Sequence, residues 1–260
     1  MTRKSAGKFN PKKNKSDAPA PSGNEEIRLN RFIANAGVCS RREADQLIAS
    51  GKIQVNGKQV TELGYKVKRS DRVEYRGKLL KSEKLQYVLL NKPTDFITTM
   101  SDPHNRHTVM RLVKSACEER IYPVGRLDRN TTGLLLFTND GELAKKLTHP
   151  SHKIKKIYQV TLERPIATAD FDAILKGVPL EDGVAIPDEM AVVSDDQKVL
   201  GIEIHIGKNR IVRRIFEHFG YKVAKLDRVM FGFLTKKNLP RGKFRHLTPK
   251  EVIQLKTLSK

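Results

Sequence analysis

Charge lies along this 260-residue chain in blocks, and the blocks limit what it can fold into. Residues 1 to 27 carry +3, 28 to 85 carry +8, 86 to 204 carry −2 and 205 to 260 carry +12, within a total of +21. A uniformly basic globule would not give that pattern. It fits a near-neutral domain flanked by elements that grip a polyanion. With 38% hydrophobic residues there is material for cores, and the length is that of one large domain or two unequal ones. No apolar run nears the ~18 residues of a membrane-spanning helix, and the basic N-terminus lacks an apolar signal segment. The expectation is a soluble, cytoplasmic protein with no membrane partner. Cys39 and Cys117 are far apart and lack metal-ligand spacing, which argues against a disulfide framework or a zinc module.

Residues 1 to 27 hold Lys, Asn, Pro, Ser and Gly with little to bury beyond Phe9, and read as a disordered basic tail. Order is predicted from Ile27, where Leu29, Phe32, Ile33 and Ala36 recur at helical spacing up to a stop at Gly37. Ser40-Arg41-Arg42-Glu43 fits a capping box opening a second helix, with Ala44, Leu47 and Ile48 on its apolar side and Gly51 at its end. Ile53 to Val60 alternates around Asn56-Gly57, a strong hairpin signal. Arg28-Leu29-Asn30-Arg31-Phe32, Cys39 to Ala44 and Ile53 to Lys58 resemble the S4 RNA-binding domain, over residues 28 to 75. Arg41 and Arg42 fall in a first helical turn, where amide dipoles also favour an anion. With Arg28, Arg31, Lys52 and Lys58 they are the candidate phosphate contacts of this segment.

Residues 76 to 85 read as a polar, basic linker, and 86 to 257 as a second domain. Tyr87 to Leu90 is a buried strand ending at Asn91-Lys92-Pro93. Ile121 to Val124 leads into Gly125-Arg126-Leu127-Asp128, and Leu134 to Phe137 forms an apolar strand ending at Asn139-Asp140-Gly141, with a short helix following through Leu147. Ile157 to Leu162 and Leu200 to Ile206 alternate as half-buried strands, and Asp170 to Leu175 is a helix stopping at Gly177. Strands and helices mix without strict βαβ alternation, which predicts an α+β class: a largely antiparallel central sheet flanked by helices.

Several chemistries are excluded by their missing signatures. No two glycines are spaced Gly-x-Gly, and no phosphate-binding Gly-Lys-Ser/Thr loop occurs. His104 with His107 and His149 with His152 lack the carboxylates or thiols that would complete a metal site, so no metal is expected. Ser101 and Ser151 have no His and carboxylate at informative spacing. What remains is Asp128, between Arg126 and Arg129 and just before an apolar strand. Cationic neighbours favour an ionised carboxylate, the form required of a nucleophile or general base.

The stretch Gly125 to Gly141 resembles the active-site motif of the RsuA/RluB/RluE/RluF family of ribosomal RNA pseudouridine synthases. Asn91-Lys92-Pro93, Lys156-Ile157-Tyr158-Gln159-Val160 and Gly207 to Phe216 match three further motifs, and the resemblance extends over about residues 28 to 250. It implies that Asp128 is the catalytic aspartate, that Tyr158 packs on the target uracil, and that Arg213 forms an ion pair with Asp128, with Arg210 as fallback. It also implies a cofactor-free reaction on ribosomal RNA, 23S or a pre-50S particle, by a monomer. Thr148 to Lys153 leans toward the RluB branch, with RluF-type and RsuA-type targets as alternatives and a non-catalytic assembly factor as the rival of another class. Asp95 stands where the family commonly has Gly, and Ile211 where it often has Gln. The helix from Asn209 has an apolar side of Ile211, Val212, Ile215, Phe216 and Phe219, and a polar side of Arg210, Arg213, Arg214 and His218. Arg213 is expected to turn into the site, and Lys92, Arg126, Arg129, Lys156, Lys208, Arg210 and Arg214 to contact RNA. Lys236, Lys237, Arg241, Lys243 and Arg245 would extend that surface.

Overall fold

The computed structural model describes residues 26–258, and the chain divides into two compact units, through Ser82 and from Glu83. The expected tail lies outside the described residues except for Glu26 and Ile27, and Ile27 already pairs with Val67.

In the first unit, helices Leu29–Asn35 and Arg41–Ala49 pack on a four-stranded antiparallel sheet ordered Lys58–Val60, Ile53–Val55, Val73–Tyr75, Lys78–Leu79. The second helix has the predicted capping box: the Glu43 amide donates to the Ser40 hydroxyl and the Ser40 amide to the Glu43 carboxylate. Asn56 and Gly57, at φ +52° and +77°, form the two-residue turn whose twist matches the strands on either side. Leu29, Ile33, Ala44, Ile53 and Val73 are fully buried between these layers. The expected linker at 76–85 is partly structured. Lys78–Leu79 adds a strand to Val73–Tyr75, because Arg76 and Gly77 take positive φ and turn the chain back.

The second unit is built on a nine-stranded sheet. Its path runs Glu189–Val192, Val199–Ile204, Lys156–Leu162, Val223–Phe231, Thr131–Thr138, Tyr87–Lys92, Phe244–His246, with Leu234–Thr235 and Tyr122–Pro123 as side pairings. All neighbours are antiparallel except Val223–Phe231 against Thr131–Thr138. Both faces are covered, which explains the unbroken apolar runs. Val88, Leu90, Leu135 and Phe137 join a core with helix Ile211–His218, whereas Tyr87, Leu89, Leu134 and Leu136 join one with helices Gly141–Thr148 and Pro249–Leu258. The parallel pair approaches very closely at Gly133, φ +106°, where a Cβ would lie 2.2 Å from the Arg228 carbonyl oxygen. Only glycine fits that crossing.

Candidate active site

Asp128 lies on the loop between Tyr122–Pro123 and Thr131–Thr138, and this loop is fastened from three directions. Thr98 Oγ1 donates to the Leu127 carbonyl at 2.7 Å and accepts from the Leu127 amide at 3.2 Å. The Asp95 amide donates to the Arg129 carbonyl at 3.0 Å, and the Arg129 guanidinium returns to the Asp95 carboxylate at 3.1 Å. Asp95 takes φ +67°, the left-handed conformation for which the family's usual glycine is suited and which Asp tolerates. The third fastening is Lys92. Its side chain is fully buried, and Nζ donates to the carbonyls of Pro93, Asp128, Arg129 and Thr131 at 2.8 to 3.2 Å. Burial pulls this ammonium down to about 8 against the opposing pull of the Asp128 carboxylate. The assignment of Lys92 to RNA is therefore corrected: it faces inward and holds the loop.

Asp128 opens onto a cavity of about 240 Å³ that also takes in Tyr158 and Lys156 from one strand, Arg228 from its neighbour, and the Gly207–Ile211 turn. Five cations, Arg126, Lys156, Lys208, Arg210 and Arg228, line it with Asp128 as the sole carboxylate. Such a site favours an anionic ligand and offers one carboxylate for nucleophilic or base chemistry. Tyr158 is 8% exposed, and its hydroxyl accepts from Arg228 Nη1 at 3.4 Å. Lys156 Nζ donates to the His205 carbonyl at 2.6 Å, and burial, reinforced by Arg228, lowers it to about 8.

Arg213 is turned inward, at 8% exposed, rather than lying on the polar side of its helix. The expected ion pair with Asp128 is not made. Nη1 donates to the Val223 carbonyl at 2.9 Å and Nη2 to the Asn130 carbonyl at 3.3 Å, so each terminal nitrogen holds a backbone carbonyl. Burial lowers this guanidinium, Arg210 adds to that, and the Asp128 charge acts in the opposite direction. Arg213 thus holds the loop two residues beyond Asp128 and bears on the carboxylate through space. Arg210, at φ +46°, pairs with Glu217 at 3.1 Å instead.

The family model for RNA pseudouridylate synthase matches residues 86–218, and that for the S4 domain matches residues 27–73. Over 236 residues the chain is 43% identical to ribosomal large subunit pseudouridine synthase B of Bacillus subtilis (strain 168), covering 89% of this chain and 96% of that one. The chain belongs to the RsuA/RluB/RluF family of RNA pseudouridine synthases. It is also 36% identical to the dual-specificity RNA pseudouridine synthase RluF of Escherichia coli (strain K12), over 88% of this chain and 78% of that one. A crystal structure of a pseudouridylate synthase superposes with a TM-score of 0.62 at 28% identity, covering 88% of this chain and 99% of that chain.

The synthase is an isomerase acting on RNA, and its candidate RNA contacts fall into two groups. Arg28, Arg41, Arg42, Lys52 and Lys58 are exposed on the first unit and Arg31 is half-buried there, while Arg126 and Arg129 are exposed beside Asp128. Others are engaged within the fold. Arg214 grips Asp182 with both terminal nitrogens at 2.6 and 3.0 Å, and Lys208 lies 3.6 Å from the same carboxylate. The expected C-terminal RNA surface needs a similar correction. Lys236 and Arg241, on the loop after Leu234–Thr235, pair with Asp227 of strand Val223–Phe231, and Arg245 of strand Phe244–His246 pairs with Glu251 of the C-terminal helix at 2.7 Å, whereas Lys237 and Lys243 are exposed. Among the described residues no group of His, Cys, Asp and Glu could hold a metal ion, and no helix is long and apolar enough to cross a membrane.

Sequence reading missed Arg228, which is 3% exposed. The signal was present: Arg228 occupies an inward position in step with Leu226, and a charge at an apolar position in a strand marks a buried polar site.

Proposed function

We propose that the synthase converts one uridine of 23S ribosomal RNA, free or in a pre-50S particle, to pseudouridine. In this reading Asp128 is the catalytic carboxylate, Tyr158 the flat face for a uracil drawn out of its stack, and Arg213 the charge that orients the Asp128 loop. The protein acts as a monomer without a cofactor. The observation that carries the reading is the cavity in which Asp128 and Tyr158 meet among five cations. The reaction breaks the N1 glycosidic bond, turns the uracil and rejoins it through C5. It needs a carboxylate, acting at uracil C6, at C1′ or on the 2′ proton, and a pocket that holds the detached base. The name of the Bacillus subtilis relative, a large-subunit synthase, supports the 23S target.

The test is incubation with unmodified 23S and 16S RNA, followed by pseudouridine mapping through chemical adducts and primer extension. One new stop in 23S is expected, absent with Asp128→Asn while RNA affinity is retained. A stop in 16S alone overturns the target. RNA binding without modification of either RNA overturns the catalytic assignments.

A further inference from the structure

We propose that Arg228 is a positioning residue for Tyr158, holding its oxygen and taking up the charge when that oxygen becomes a phenolate during proton removal from uracil C5. The inference rests on the reading of Tyr158 given above.

Tyr158 and Arg228 are direct partners on adjacent antiparallel strands, so backbone register sets their approach. Arg228 Nε is anchored on the Leu134 carbonyl at 2.7 Å, and Nη1 donates to Tyr158 Oη at the long distance of 3.4 Å. Nη2, on the same Cζ, is buried with no partner. A buried guanidinium nitrogen without an acceptor is rare, because the unmet donor costs free energy. The guanidinium lies over the rings of Phe231 and Tyr158, 5.2 and 6.0 Å from Cζ to centroid, contacts that favour a cation there but give Nη2 no hydrogen-bond acceptor. A neutral phenol draws one long bond from this fork. A phenolate would draw shorter, charge-assisted bonds from it and offer Nη2 an acceptor. The contact is therefore stronger when charge has developed than in the resting site, which is what accelerates a step.

The proton balance is closed. Whatever bond Asp128 makes, C5 must lose a proton and N1 must gain one. Tyr158 gives its hydroxyl proton to N1 and, as phenolate, takes the proton from C5. The C5–H electron pair restores the C5–C6 double bond, N1 ends as N–H, and the tyrosine is regenerated.

The test is single-turnover kinetics on 23S RNA carrying uridine or 5-deuterouridine, with Tyr158→Phe, Arg228→Met, their combination and Arg228→Lys. Arg228→Met should slow the reaction by about ten- to a hundredfold, a part of the roughly hundred- to ten-thousandfold that acid–base assistance supplies, without loss of RNA affinity, and should raise the C5 deuterium isotope effect. In the Tyr158→Phe background the same change should have almost no further effect, since both act through one oxygen. Arg228→Lys should recover part of the rate. Equal slowing in both backgrounds with an unchanged isotope effect overturns the proposal and leaves Arg228 as a strand anchor. Should Arg228→Met fail to fold, Arg228→Lys decides: an ammonium lacks the planar fork that can aim Nη1 and Nη2 together at one oxygen while Nε stays on Leu134, so its isotope effect should exceed that of wild type, and one equal to wild type overturns the idea. Tyr158→Phe at the wild-type rate would instead remove the reading of Tyr158 itself.

Discussion

Lys92→Met removes the fully buried cation that ties the Asp128 loop to strand Tyr87–Lys92. Holding an ammonium whose pKa falls from 10.5 to about 8 costs about 3 kcal/mol at neutral pH. Nζ has three protons to share among four carbonyls, and charge-assisted bonds contribute about 1.5 to 3 kcal/mol each. Two of those carbonyls keep another donor, since Thr131 N donates to Asp128 O and Asp95 N to Arg129 O. The variant leaves the Pro93 and Thr131 carbonyls without the ammonium, and at about 1 to 3 kcal/mol for each buried group left unmet it should lose about 2 to 5 kcal/mol. Urea unfolding of both proteins measures this directly. Activity should be compared at a temperature where both are folded: the slackened loop should lower kcat more than it raises KM. A Lys92→Met protein within about 0.5 kcal/mol of wild type, with unchanged kcat, would refute the role assigned to Lys92.

Burial pushes the Asp227 carboxyl up, but Arg241, Lys236 and Thr132 outweigh it and hold the group at about 2, below its ordinary 3.8. The unfolded chain therefore takes up the proton first as pH falls. About 2 kcal/mol of stability, fully present above pH 4, should be lost as pH drops through about 2; urea titrations between pH 2 and 5 should show a flatter slope for Asp227→Asn, and an equal slope refutes the assignment. Arg41→Gln with Arg42→Gln should weaken RNA binding and reduce the salt dependence of log K by about one for each phosphate no longer neutralised, measured by filter binding across salt concentrations. An unchanged slope would show that this helix start does not hold the backbone.

Local signals were reliable where one segment determines its own geometry. The capping box at Ser40, the Asn56-Gly57 turn and the apolar runs at Tyr87 and Leu134 all depend on neighbours in sequence, and the structure has each of them. The meeting of Asp128 with Tyr158 was legible only through motif resemblance, because loop and strand come together through a cavity that no spacing encodes. The buried role of Lys92 was not legible, and that of Arg228 only as a charge at an apolar strand position. A cation reads as surface-seeking until the fold supplies carbonyls from Asp128, Arg129 and Thr131, or from Leu134, to satisfy it. The same holds for Arg241, whose partners Asn91 and Asp227 lie 150 and 14 residues away.

The unmade ion pair bears on how the site is poised. A carboxylate in a fork with a guanidinium has one lone pair on each oxygen engaged along that axis and its orientation fixed by the pair. Arg213 instead spends its terminal nitrogens on Val223 and Asn130, and Lys92 on the carbonyls of the loop. Both cations fix the backbone around Asp128, which lines the cavity. Under the proposed role this separates orientation from reactivity: the loop is held by groups that never touch the reacting oxygen. It follows that Arg213→Lys, which keeps the charge but loses the two-armed grip, should speed amide hydrogen exchange in the loop around Asn130 and Thr131, and exchange equal to wild type would show that the guanidinium does not hold that loop.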